Sequence, residues 1–402
     1  MRDVVIAGAG IAGLTAALAF ARHGFSVRVH ERSAVLDEVG AGLQLSPNVT
    51  RLLDELGVLD RLTDSAVQPE AVVLRQASNL AEVTRVPLGA AARRRWNAPY
   101  LVIHRADLQR ALLQSVAAQP AISLTLGSAI LKAEPRQGGI EATTEHDGIT
   151  GRDYAELFVV ADGVWSKNRL SVRSDAASRF SGSLAWRTTI LSDGEAGRAF
   201  KDFARLDCVT AFMHGGFHMI AYPLRKGSVV NLAAFTPGTA IAESWDGDAD
   251  QTTLEAAMRG AAAPLARLVA LAGPWRIWPL HVVDGSLPWV RHDGIALIGD
   301  AAHATTPFAA QGGAMAIEDA YTLADAVARG GVSALPVWEG ERRQRVAKVV
   351  RRGAINKFAW HASGPVAVAR NLFLKTRPAE KLAADLDWLY GWTPPGWDRV
   401  AS

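Results

Sequence analysis

The first thirty-two residues constrain this chain more than any other stretch. Val4-Val5-Ile6-Ala7 is a short apolar run, as a strand buried on both faces requires, and it ends in Gly8. Gly8-Ala9-Gly10-Ile11-Ala12-Gly13 follows, then Leu14 to Arg22, an alanine-rich stretch of helix formers closed by Gly24. Phe25 to His30 reads as a second strand with Glu31 at its C-terminal end. Gly8 allows the tight turn, Gly10 lets a pyrophosphate approach the backbone, and Gly13 lets helix and strand pack closely. The helix start, which includes Ala12, offers unpaired N–H groups and a positive dipole end to phosphates. Glu31, eighteen positions past Gly13, stands where a carboxylate accepts hydrogen bonds from a ribose. The unit predicts dinucleotide binding without separating FAD from NAD, because both use the same cradle.

The remaining composition narrows the class. At 402 residues the chain suits two domains or one large interrupted one. An apolar share of 49% with 21% charged residues fits an ordinary globular protein and excludes wholesale disorder. Lys and Arg number 43 against 40 Asp and Glu, too near neutral for a dedicated nucleic-acid binder. The single Cys208 forms no intramolecular disulfide, and no Cys/His cluster suggests a metal. Met1 to Ile6 carries no leader signature and no later run is apolar enough to span a membrane, so a cytoplasmic enzyme is expected.

Two further apolar runs end in the same manner. Leu157 to Ala161 ends in Asp162-Gly163, and Ile295 to Ile298 ends in Gly299-Asp300-Ala301-Ala302-His303. Ligands collect at the carboxyl ends of parallel strands, so both acids should face the crevice opened by Gly8–Gly13. Pro307, Gly312-Gly313-Ala314 and a helix opening at Met315 complete a pattern that packing alone explains poorly.

With these three fingerprints the chain resembles the single-component flavoprotein aromatic hydroxylases, from residue 3 to about 330. The carrying motifs are Gly8-x-Gly10-x-x-Gly13 with Glu31, Asp162-Gly163 with Ser166 and Arg169, and Gly299-Asp300 with His303 and Pro307. The resemblance implies an α/β fold: a Rossmann-like, GR2-type FAD-binding domain with an inserted antiparallel-sheet substrate domain. It implies bound FAD with NADH or NADPH as a transient reductant, a small aromatic substrate and O2. Gly8, Gly10 and Gly13 would hold the pyrophosphate and Glu31 the adenosine ribose. Arg105 matches an arginine lying over the FAD, Asp300 a ribityl or pyrophosphate contact, and Asp162 a group near the pyrophosphate that helps admit nicotinamide. Arg32 suits either a cofactor neighbour or a surface ion pair.

The implied reaction is hydroxylation of a phenolic ring through a flavin C(4a)-hydroperoxide, with the Pro307 carbonyl lining the transfer site. Gly312 and Gly313 precede a helix, so their N–H groups can stabilise negative charge on the reduced flavin. A base near the ring oxygen would help, since oxygen transfers faster to a phenolate. His218, Ile220 and Tyr222 alternate along an expected strand and so share a face. In the 3-hydroxybenzoate 6-hydroxylase branch a His and Tyr at this spacing contact the substrate oxygen; a packed His and core Tyr is the alternative. Other branches differ where this chain has Phe308, Pro307 or Gln44, and Gln44 is expected near the flavin ring. Arg187 could pair with a substrate carboxylate, although a structural ion pair is favoured over that role.

Residues 1–70, 98–175 and 288–360 are expected to form the cofactor domain. Residues 71–97 and 176–287 would form the substrate domain, with one helix from Thr253 to Leu271, and 361–402 a helical tail. Arg93-Arg94-Arg95 reads first as a solvated loop and second as a site for reductant phosphates. Trp388, Tyr390, Trp392 and Trp397 suit packing on the body or on a second copy, so a homodimer is compatible. Two rival classes remain open: a flavin dehydrogenase or reductase without oxygen insertion, and a non-catalytic flavin-binding redox sensor.

Overall fold

The opening strand, Asp3–Ala7, lies inside a six-stranded sheet. Its order is Val290–Arg291, Ile295–Leu297, Leu157–Val160, Asp3–Ala7, Ser26–Glu31 and Ile122–Leu126. Every pairing is parallel except the Val290–Arg291 edge. The structure, a computed structural model, describes residues 2–36, 42–173, 177–241, 247–248 and 250–397.

Register is what assembles the site. Ala7 pairs with Val160 and Val160 with Leu297, so three strands end at one level. The chain therefore leaves the sheet side by side at Gly8, Ala161 and Ile298. The Ile11–Arg22 helix and the Gly312–Gly330 helix both start from this edge and pack on each other. Gly299, at φ +58°, adopts a backbone that a side chain disfavours, and an added Cβ would stand 3.0 Å from that of Ala316.

An eight-stranded sheet stands against this unit. It runs Gly247–Asp248, Arg276–Val282, Arg179–Leu191, Val229–Pro237, His218–Leu224, Cys208–Met213, Ala71–Gln76 and Glu82–Pro87. Only the pairing of Cys208–Met213 with Ala71–Gln76 is parallel. Alternation still governs it, but both faces are buried. Met219 and Ala221 join Trp186, Phe200 and Leu265 in a core beneath the sheet, while Ile220 and Tyr222 face the first core. That is why Val229–Pro237 is buried almost throughout instead of alternating with solvent.

Two expectations are corrected, and of the two readings of the tail aromatics the structure shows packing on the body. The helix expected from Thr253 to Leu271 is two, Gln251–Ala257 and Ala263–Leu271. Gly260 at φ +95° and Pro264 in the following first turn separate them. Arg93, Arg94 and Arg95 lie on the Gly89–Trp96 helix, with Arg93 bonded to Gln68 and Arg95 to Asp387. The tail packs on its own chain: Tyr390 meets Trp96 and Tyr100 edge-on at 5.0 and 5.7 Å, and Arg51 donates to the Trp392 carbonyl. Residues 398–402 lie outside the described residues.

Candidate active site

Two adjoining cavities open where the sheets meet. The larger, about 430 Å3, follows the end of the parallel sheet and is lined by Gly8, Gly10, Ala12, Glu31, Arg32 and Asp162 among others. The smaller, about 200 Å3, is lined by Gln44, Arg187, Tyr222, Phe235, Trp278 and Pro307 among others. Arg105, Asp300, Gly312 and Gly313 line both, so they mark the junction.

The larger cavity is a cradle for an anion. Gly10 and Gln311, the residues that begin its two long helices, make no side-chain cap, which leaves first-turn N–H groups for a ligand. Apart from its chain neighbours and its own helix backbone, nothing lies within 4 Å of where Gly10, Gly312 or Gly313 would carry a Cβ. Gly13 does different work: its Cβ would meet the Gly8 oxygen at 1.9 Å, so it sets helix–strand packing instead of facing the cavity. Gly299 and Ala314 likewise stand behind the lining.

Polar side chains are pre-oriented around that space. Glu31 accepts from the N–H groups of Ala9 (2.8 Å) and Ser33 (2.9 Å), which fixes its carboxylate at the rim. Asp162 accepts from Asn168 at 3.0 Å through Oδ2, while its buried Oδ1 has no hydrogen-bond partner. Burial raises the Asp162 pKa above the ordinary carboxylate value. Arg169 ties two strand-end loops together, donating to the carbonyls of Ala301 (2.6 Å) and Val164 (2.9 Å). Burial, with Arg173 nearby, lowers its pKa to about 10. Arg32 lines the cleft and has no acidic partner among the described residues.

A buried ionic network holds the junction from behind. Asp319 accepts from the Gly299 N–H at 3.0 Å, from His303 at 2.5 Å and from Arg342 at 2.8 Å. Burial pushes this carboxyl up, yet His303 and Arg342 outweigh it and leave its pKa at about 2. Glu318 takes Arg342, Arg345 and the Asn48 amide, and Asn48 and Ser46 engage Gln311 just before Gly312. Sequence reading missed this network because its members are far apart in the chain.

The smaller cavity has aromatic and aliphatic walls with the half-buried Arg187 among them, and Arg105 and Asp300 at its junction end. Arg187 lies over the Trp278 ring at 4.0 Å, its Nε has no hydrogen-bond partner, and no acid pairs with it among the described residues. The favoured structural ion pair is thus corrected. Burial lowers the Arg187 pKa to about 10. Burial also raises the Tyr222 phenol, partly offset by Arg187, so the hydroxyl stays protonated. Gly42, overlooked in the sequence, lets the Tyr222 ring close in: a Cβ there would stand 2.3 Å from the ring.

His218 and Phe308, expected as substrate contacts, are one layer behind the wall and line neither cavity. His218 stacks on Phe235, which does line the cavity, with centroids 4.6 Å apart, and its Nδ1 meets His361 Nε2 at 3.2 Å. Burial, with His361 and Lys357 nearby, lowers its pKa well below the ordinary value. Gln44 reaches the smaller cavity, not the larger, with its Oε1 accepting from the Tyr100 hydroxyl at 2.6 Å. The described residues include no cluster suited to a metal and no helix long and apolar enough to cross a membrane.

Two uncapped helix starts and three strand-end loops around one cleft, backed by an orphaned carboxylate oxygen, define a dinucleotide-binding oxidoreductase whose residues fit FAD. The chain belongs to the FAD binding domain family, whose pattern matches residues 1–353. It is 30% identical over 394 residues to 3-hydroxybenzoate 6-hydroxylase of Polaromonas naphthalenivorans strain CJ2, spanning 97% of this chain and 96% of that protein. It is 35% identical over 399 residues to 3-amino-4-hydroxybenzoate 2-monooxygenase of Streptomyces cremeus, spanning 98% and 96%. Klebsiella pneumoniae HpxO, solved with FAD and uric acid, shares the fold with a TM-score of 0.81 at 24% identity, covering 96% and 95%. The chain is an FAD-dependent monooxygenase.

Proposed function

We propose that this monooxygenase hydroxylates a small anionic aromatic or heteroaromatic ring, using O2 and NADH or NADPH. The observation that carries the reading is Arg187, a half-buried guanidinium whose buried Nε has no hydrogen-bond partner and which has no acidic partner among the described residues, set among Phe235, Trp278 and Ile220 in the cavity beside the cofactor junction. Such a cation is unfavourable until an anion joins it, and its planar fork suits a carboxylate. Relatives whose names specify hydroxybenzoates support the same substrate class.

Bound FAD supplies the redox chemistry, accepting hydride from the reductant and activating dioxygen. The protein's own part is to bind, orient and exclude water. Gly8, Gly10 and Ala12 would hold the pyrophosphate, Glu31 and Arg32 the adenosine end, and Asp162 and Asp300 the middle. Arg105, Gly312 and Gly313 would meet the ring system, the helix start favouring negative charge on its pyrimidine edge. Arg187 orients the substrate anion, and Tyr222 keeps a proton available to the ring oxygen. Pro307 closes the floor. His218 acts on position only, through the Phe235 ring it stacks against. On this reading 1–70, 98–175 and 288–360 serve the cofactor, 71–97 and 176–287 the substrate.

A screen of phenolic and pyridine carboxylates for stimulated NADH or NADPH oxidation under labelled dioxygen tests it. Label in the ring product is expected. Reductant consumption yielding only hydrogen peroxide with every compound would sink the reading and favour a dehydrogenase or oxidase role.

A further inference from the structure

The stretch 342–379 holds ten Lys and Arg and no Asp or Glu, leaving the rest of the chain net negative. Arg342 and Arg345 belong to the buried network, Arg377 pairs with Asp385, and Arg343 approaches Glu339. Lys348, Arg351, Arg352, Lys357, Arg370 and Lys375 have no acidic partner among the described residues. Charge this segregated marks a surface built for an anionic partner.

The same stretch shows large apolar side chains to solvent. On the Leu335–Trp360 helix these are Val350, Ile355 and Phe358, the last 71% exposed; on the Gly364–Thr376 helix they are Val366, Val368, Leu372 and Phe373. The second helix buries no residue at all. A helix with that much apolar surface and no buried face needs a cover. Helical spacing interleaves the two kinds of group: Lys348, Arg351, Ile355 and Phe358 form one stripe, and Val368, Leu372 and Lys375 another.

We propose that this pair of helices is a docking surface for an anionic lipid membrane, on which the enzyme lies without crossing it. Phosphate headgroups take the exposed Lys348, Arg351, Lys357 and Lys375, and the headgroup–acyl boundary takes Phe358, Leu372 and Phe373. A two-fold copy of this chain fits less well, since an isologous contact would set these cations against themselves. Nucleic acid would satisfy the cations and leave the aliphatic side chains in water.

The test uses the full-length, FAD-loaded enzyme. It is sedimented with vesicles of equal parts phosphatidylcholine and phosphatidylglycerol, against pure phosphatidylcholine. The anionic vesicles should bind at least about tenfold more tightly, and salt near about 0.5 M should release the enzyme. Leu372→Asp with Phe373→Asp, and separately Arg351→Glu with Lys375→Glu, should each weaken binding about tenfold at unchanged FAD content. All four side chains are solvent-exposed, so the variants keep the buried cores. No binding, or equal binding to both vesicles, overturns the proposal. So does a dimer, seen by light scattering, that Leu372→Asp dissociates, and so does duplex DNA bound as tightly as the anionic vesicles.

Discussion

The cofactor cradle and the substrate cavity share a wall but are built from different material. The cradle is backbone: two helix starts, close-packed glycines and strand ends brought to one level by sheet register. The cavity is side chains: Arg187, Tyr222, Phe235 and Trp278 from four strands of the other sheet, completed by Gln44 and Pro307. A ligand contacted by N–H groups depends on where the chain runs, so many side-chain changes leave it intact. A ligand gripped by one guanidinium depends on that group. The cradle therefore suits a common cofactor and the cavity sets the choice of substrate.

The largest expected effect breaks the cradle by two different routes. At Gly13 an added methyl would overlap the Gly8 oxygen at 1.9 Å, whereas at Gly10 it meets only open space. Gly13→Ala should cost at least about 3 kcal/mol of stability, measured by urea unfolding. Gly10→Ala should keep its melting temperature without cofactor and lose FAD on gel filtration, because its methyl occupies the ligand's space. If both variants behave alike, the two glycines do not have separate tasks.

The next effect breaks the cavity. Arg187→Met should weaken binding of the substrate anion by about 2 kcal/mol or more, roughly 30-fold, read from flavin absorbance. It should also stabilise the substrate-free protein by about 1 kcal/mol, since a half-buried cation without an acidic partner is replaced by a packed apolar chain. A purely structural arginine would lower stability, so the opposite signs are the decisive result.

This contrast also explains what could be read from the residues alone. The cradle was legible because each part is local: apolar run, glycine spacing, helix formers and strand-end acid lie within one short window. Asp162 and Gly299-Asp300 were legible for the same reason. Arg187 was visible as a candidate, but its lack of a partner depends on every chain segment packed around it. The network from Gly299 through Asp319 to Arg342, and the Asn48–Glu318 contact, join residues whose separation carries no periodic signal. The split of the expected 253–271 helix was a missed signal: Gly260 and Pro264 were there to be read. His218 shows the limit of alternation. Period two puts it on the same strand face as Tyr222, but not at the same depth, because Phe235 and Phe308 cover it.

That burial sets a pH dependence on the cavity side. The folded His218 imidazole resists protonation, while the unfolded chain takes up a proton near 6.5. Unfolded chains then bind more protons below that value, so stability falls on acidification by up to about 1.4 kcal/mol per pH unit from this group. His361, also lowered by burial, adds to the same trend. His218→Phe should flatten the curve between pH 7 and 5, followed by urea unfolding. An unchanged slope would mean that the imidazole is protonated in the folded state.

The smallest effect sharpens the boundary between the two regions. Gln44 comes from the Gly42–Leu45 strand beside the cradle, yet its amide lines the substrate cavity. The Tyr100 hydroxyl donates to its oxygen, which leaves the amide N–H groups to face the cavity, and Tyr390 of the tail packs edge-on against Tyr100. Tyr100→Phe removes that donor without emptying space, so it should cost about 0.5–1.5 kcal/mol in substrate affinity, less than tenfold to about tenfold. FAD retention should stay unchanged, because the cradle makes no use of this bond. Loss of FAD in place of substrate affinity would move Gln44 to the cofactor side and shift the border between the backbone-built and side-chain-built halves of the site.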